Sequence, residues 1–117
     1  MVRIFVYCLL WVLFLSPNTL LAGSHDVVKQ TFVVNGVCEQ CKKRIEEAAY
    51  VKGVKYADWN VETHDLTVRY DSSKTKPEII LQNIANKGHD NQMFKAPDND
   101  YNKLPSCCRY KSGIKKH

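Results

Sequence analysis

Between Cys41 and Cys107 the chain has no cysteine. A disulfide scaffold spreads its bridges through its core, so this gap counts against one. No apolar run reaches the ~20 residues that a membrane-spanning helix needs. The basic residues are not interleaved with a run of aromatics, which counts against nucleic acid as a partner. No acid–base catalyst is evident. There is no low-complexity tract, and no internal repeat beyond two βαβ-like halves. No cysteine follows Leu20-Leu21-Ala22-Gly23, so a lipid anchor there is not expected.

The N-terminus holds a targeting pattern. Arg3 supplies a positive start, and nothing charged interrupts Ile4 to Leu15. Ser16, Pro17 and Asn18 break the run, and Ala22-Gly23-Ser24 offers small residues for cleavage. Residues 1–22 therefore read as a secretory signal peptide, cleaved after Ala22 or Ser24. The expected destination is export, periplasmic or secreted. Cleavage removes Arg3 and no acid, so the formal charge falls from +5 to +4. The basic residues at 42–44 read as a solvated helix face, one that could dock an acidic partner. His25 and His117 sit near the mature ends and offer at most an adventitious metal site.

The pattern then becomes that of a small α+β domain, expected over residues 27–96. Gln30 to Asn35 alternates as a strand, with Phe32 and Val34 on one face. From Glu39 the period changes: Cys41, Ile45, Ala48 and Ala49 form one helix stripe, and Gly53 ends the helix. Residues 54–61 alternate through Ala57, Trp59 and Val61, which places Trp59 in the core. A turn at 62–65 puts His64 in solvent, and Leu66, Val68 and Tyr70 share one side of the next strand. Thr75 and Glu78 suggest a capping box, with Pro77 in the first turn. Ile80, Leu81, Ile84 and Ala85 form the second helix stripe, and Gly88 stops it. Asn91 to Ala96 reads as a short last strand, where Met93 takes a core or edge position. The order β-α-β-β-α-β is the ferredoxin-like arrangement: a four-stranded antiparallel sheet with two helices on one face. Residues 97–117 are polar and aperiodic, and are expected to form an irregular, flexible, cysteine-containing tail.

Cys8 goes with the signal, leaving Cys38, Cys41, Cys107 and Cys108. Cys38 and Cys41 form a C-x-x-C where a strand hands over to a helix. Free N–H groups and the positive helix end favour thiolate there, and Lys42 and Lys43 add positive charge. Thiolates select soft ions: Cu(I), Hg(II), Cd(II) or Zn(II). Two from one loop satisfy a linear ion but do not fill a tetrahedral zinc site. The same pair could serve a thiol–disulfide oxidoreductase or a disulfide-stapled interaction module. Against the enzyme stands the βαββαβ order, with no proline placed to face the cysteines.

The segment from about Lys29 to Met93 resembles the heavy-metal-associated domain family of copper chaperones, P-type ATPase metal-binding domains and periplasmic mercury-binding proteins. The matching residues are Cys38 and Cys41 after a strand, "GV" at 53–54, A-x-W-N at 57–60, "LTVRYD" at 66–71 and I-x-x-x-G-H at 84–89. The resemblance implies the ferredoxin-like fold and a metal held by Cys38 and Cys41. The family usually carries Met two residues before the first cysteine, as a hydrophobic tether. Here Gly36 stands there and Asn35 replaces the usual Gly, which implies a looser loop. In the family, the loop after the second helix comes near the cysteines and often holds Tyr or Lys. Here it holds His89, whose imidazole can ligate directly.

The adjacent Cys107 and Cys108 lie beyond the family's domain. They could bind a second ion, reach back to the first, or bridge to another chain. Tyr101 and Leu104 could guide such a return by packing on the sheet. The expected function is a non-catalytic, extracytoplasmic soft-metal binder, with Cu(I) favoured, that sequesters the ion or hands it over by thiolate exchange. The partner implied is a metal-transporting membrane ATPase or efflux component. A metal-bridged dimer is a further arrangement the motif allows.

Overall fold

The computed structural model describes residues 26–112. The expected signal peptide, His25 and His117 lie outside the described residues. No helix among the described residues is long and apolar enough to cross a membrane.

Strand β1 (Val27–Val33) leads into helix α1 (Glu39–Ala49), followed by β2 (Val54–Trp59), β3 (Asp65–Asp71) and α2 (Pro77–Asn86). A short helix α3 (Asp98–Asn102) and 3-10 turns at Ser106–Cys108 and Tyr110–Ser112 complete the order. The sheet is antiparallel with order β1-β3-β2. Register pairs Phe32 with Leu66 across β1 and β3, and Trp59 with Leu66 across β2 and β3. Period-2 alternation sends Phe32, Ala57, Trp59, Leu66, Val68 and Tyr70 to one face, where all are buried. The α1 stripe Cys41, Ile45, Ala48 and Ala49 and the α2 stripe Ile80, Leu81, Ile84 and Ala85 are also buried, as their spacing predicts. Sheet and helices thus share one core.

The structure corrects four expectations. The fourth strand is a single bridge, Val34 to Asn91. The Asn91 side chain diverts the chain: its Oδ1 accepts the N–H groups of Met93 and Phe94, and its Nδ2 donates to the Leu81 carbonyl. These local bonds compete with a ladder and leave Met93 43% exposed. The capping box does not form, since the N-cap is Lys76, without a side-chain cap bond. Asp71 instead receives the Thr75 N–H on its carbonyl, 3.1 Å away. His64 takes a positive φ of 66° and stacks on Trp59 at 5.6 Å, half-buried where solvation was expected. The fourth correction is the segment from Asp98 to Ser112, which forms short helical turns and buries Leu104 and Cys108 in the common core.

That return is anchored at the α2 exit. Gly88 adopts φ 104°, and a Cβ there would lie 2.9 Å from the Asp100 carbonyl and from Leu104. Glycine is therefore needed twice over, for the backbone conformation and for the close approach of the returning chain. Tyr101 and Leu104 do guide the return, at this corner. Leu104 packs on Gly88, and Tyr101 meets Tyr110 edge-on at 5.2 Å.

Candidate metal centre

The loop at residues 34–38 connects β1 to α1 and is buried except at Asn35, which is half-buried. Trp59 fills the space beneath it, fully buried, and its indole N–H donates to the Val34 carbonyl at 2.9 Å. A Cβ on Gly36 would meet the Trp59 ring at 2.9 Å and the Cys41 Cβ at 3.0 Å. The indole thus occupies the room that a side chain at 36 would need. The loop is packed where a looser one was expected: Gly36, Val37 and Cys38 are all buried.

Lys42 ties α1 to the end of β2. Its ammonium contacts Glu46, Asp58 at 2.8 Å and the Trp59 carbonyl at 3.0 Å. Glu46 in turn accepts the Trp59 N–H at 2.8 Å. Burial disfavours the Lys42 charge, but Asp58 and Glu46 outweigh it and push its pKa above the ordinary value. Lys42 is therefore part of the clamp around Trp59, not of a free basic face.

Cys38 is the N-cap of α1 in extended conformation, and Cys41 lies in the first turn, fully buried. Their sulfurs are 3.9 Å apart. Cys38 Sγ also lies 3.3 Å from the Cys107 carbonyl, to which its thiol donates when protonated. Burial pushes the Cys38 thiol up, but the backbone N–H groups of Cys41 and Gln40 and the neighbouring thiols outweigh it, so its pKa falls below the ordinary value. Cys41 goes the other way, because deeper burial dominates. The pair is thus asymmetric, with Cys38 the readier thiolate.

The 3-10 turn at Ser106–Cys108 brings in a third sulfur. Its geometry follows from Pro105, whose carbonyl accepts the Cys108 N–H at 2.8 Å. The sulfurs of Cys38, Cys41 and Cys108 all lie within 4.8 Å of one another, and all three residues are buried. Burial raises the Cys108 thiol, and the adjacent Cys41 and Cys107 sulfurs raise it further. Cys107 sits beside this triad, half-buried, with its sulfur 4.0 Å from that of Cys108. Among the described residues, Cys38, Cys41, Cys107 and Cys108 carry no disulfide.

His89 is not a member of the triad. It is fully buried, and its Nδ1 lies 2.8 Å from the Asn35 carbonyl, an acceptor that requires Nδ1 to carry the proton. Its Nε2 is buried without a partner. Burial lowers its pKa to about 4 and Arg44 adds to this, while the Asn35 bond and Asp90 oppose it. His89 holds the loop through Asn35 and supports the returning chain through Tyr110, which stacks on it at 5.8 Å. The sequence signals that place Tyr110 here are weak: an isolated tyrosine in a polar stretch carries no period.

A C-x-x-C at a strand-to-helix junction, on a βαββα scaffold with both helices packed on one sheet face, defines a soft-metal-binding domain. The heavy-metal-associated domain model matches residues 31–90, and the chain belongs to that family. Among solved structures it is similar to the CopZ metallochaperone, 32% identical with a TM-score of 0.53, covering 55% of this chain and 98% of that one. It is also similar to a putative copper-ion-binding protein from Bacillus anthracis, 27% identical with a TM-score of 0.56, covering 59% of this chain and 100% of that one. A copper-bound CopA variant from Bacillus subtilis is 28% identical with a TM-score of 0.50, over 57% and 91% of the two chains. No curated protein matches the chain.

Proposed function

We propose that the protein is an extracytoplasmic carrier or store for a soft metal ion, with Cu(I) as its cargo. Cys38 and Cys41 bind the ion and pass it on by thiolate exchange. The observation that carries this reading is the pair of thiols 3.9 Å apart at the start of α1, one of them biased toward thiolate. Thiolate donors favour Cu(I) over hard ions. The similarity to the CopZ metallochaperone and to a putative copper-ion-binding protein supports copper over other soft ions. The pattern of residues 1–22 supports export, periplasmic or secreted, and a membrane metal transporter or efflux component suits the handover. The family and the site chemistry favour a binder over an oxidoreductase.

The test is Cu(I) titration against a competing chelator under anaerobic, reducing conditions. The parent should take up one ion, and a Cys38→Ser, Cys41→Ser double variant should lose tight binding with its circular dichroism retained. Equal binding by the folded double variant overturns the assignment. N-terminal sequencing of the protein from an extracytoplasmic fraction tests the export reading, which requires a start after Ala22 or Ser24.

A further inference from the structure

We infer that Cys108 is the third ligand of the cargo ion, and that residues 104–112 form the lid that encloses it; this rests on the soft-metal reading of Cys38 and Cys41. The first argument is distance. With metal–sulfur bonds of about 2.3 Å, two sulfurs on opposite sides of a linear ion stand about 4.6 Å apart, and two in a trigonal plane about 4.0 Å. The Cys38 and Cys41 sulfurs stand at 3.9 Å, well short of the linear separation and close to that of a site with more than two ligands. The Cys108 sulfur lies within 4.8 Å of both, so a shift of under about 1 Å brings it to the third corner of a trigonal site.

The second argument is burial. Cys38 is 6% exposed, and Cys41 and Cys108 are fully buried. The returning segment covers the pair: the Cys108 sulfur lies beside both, and the Cys107 carbonyl rests on the Cys38 sulfur.

The third argument is that the covering segment is held by specific bonds. The Tyr110 hydroxyl donates to the Gly88 carbonyl at 3.2 Å and accepts the Asp90 N–H at 2.8 Å. Lys111 pairs with Asp90 at 3.3 Å, and Arg109 donates to the Leu104 carbonyl at 3.1 Å. The turn that presents Cys108 is thereby fixed from both ends, at Leu104 and at Tyr110.

Binding exchanges three S–H bonds for three Cu–S bonds, and the protons leave to solvent. Copper stays in the +1 state throughout. Handover then requires the lid to lift: Cys108 leaves and takes a proton, an incoming thiol loses its proton and adds in its place, and the resulting three-coordinate ion moves on as Cys38 and Cys41 leave in turn, each taking a proton, and a second incoming thiolate binds. Cys107, half-buried outside the triad, is not a ligand in this arrangement.

Copper K-edge X-ray absorption on the full chain carrying one equivalent of Cu(I) tests the inference. The expected result is three sulfurs in one shell, unchanged in Cys107→Ser and reduced to two in Cys108→Ser. Two sulfurs in the parent, or four, overturn it, and the parent measurement suffices should Cys108→Ser not fold. Loss of the Cys108 contribution with binding retained by Cys38 and Cys41 leaves the two-thiolate function standing. Tight binding that survives removal of Cys38 and Cys41 overturns that function instead.

Discussion

The Tyr110 ring lies stacked on His89, 5.8 Å away and inclined by 23°, while its hydroxyl bridges the Gly88 carbonyl and the Asp90 N–H. One residue from the C-terminal segment thus satisfies three neighbours at the α2 exit and sets where Cys108 comes to rest. Tyr110→Phe keeps the stacking and loses both hydrogen bonds, at a cost of about 1–2 kcal/mol. Urea denaturation of the metal-free, reduced protein should show that loss. With the lid loosened, transfer of Cu(I) to an external chelator should be faster in this variant than in the parent. An unchanged transfer rate would separate the anchoring of the segment from access to the ion.

Acid should destabilise the metal-free protein through His89. Its pKa falls from the ordinary 6.5 unfolded to about 4 folded. The unfolded state therefore binds the extra proton between these values, and stability is lost as pH falls from 6.5 toward 4. The full difference corresponds to about 3 kcal/mol. Arg44 and Asp90 face the imidazole with opposite signs. His89→Asn retains a donor for the Asn35 carbonyl and removes the titration. Its unfolding free energy should vary less across that window than the parent's, as read by denaturant midpoints at several pH values.

Gly36→Ala should damage both the fold and the site. The added Cβ would sit 2.9 Å from the Trp59 ring and 3.0 Å from the Cys41 Cβ, both of them fully buried residues. Overpacking of this kind costs about 1–3 kcal/mol. Because one of the two neighbours is Cys41, Cu(I) affinity should fall along with the melting temperature. Val37→Ala, which removes volume from the same loop without a clash, should lower stability with a smaller effect on affinity.

Trp59→Phe should keep most of the buried ring and leave the Val34 carbonyl without its indole donor. An unsatisfied buried acceptor costs about 1–3 kcal/mol. Lys42→Met should release Glu46 and Asp58 from their shared cation at a cost of about 1 kcal/mol, since Glu46 retains the Trp59 N–H. Thermal melts of the two variants at low and high salt distinguish the effects: only the Lys42 loss should shrink as salt rises.

The elements with a regular apolar period follow from the chain alone. Cys41, Ile45, Ala48 and Ala49, and Ile80, Leu81, Ile84 and Ala85, are buried as their spacing requires, because one apolar stripe on a helix has one way to face a sheet. The alternation through Leu66, Val68 and Tyr70 placed the central strand for the same reason. The C-x-x-C at the head of α1 was legible too, since both residues lie within one turn. The last strand was not, because the outcome turned on the Asn91 side chain capturing the amides of Met93 and Phe94, a local competition invisible to a period-2 pattern. Nor was the packed loop over Gly36, which depends on where the Trp59 ring arrives from a different strand. The approach of Cys108 to Cys38 and Cys41 comes from folding, not from any local pattern. Cys38 and Cys107 meet across 69 residues of chain. A contact so distant leaves no spacing to read, and it exists because Gly88, His89 and Asp90 offer Leu104 and Tyr110 a place to dock.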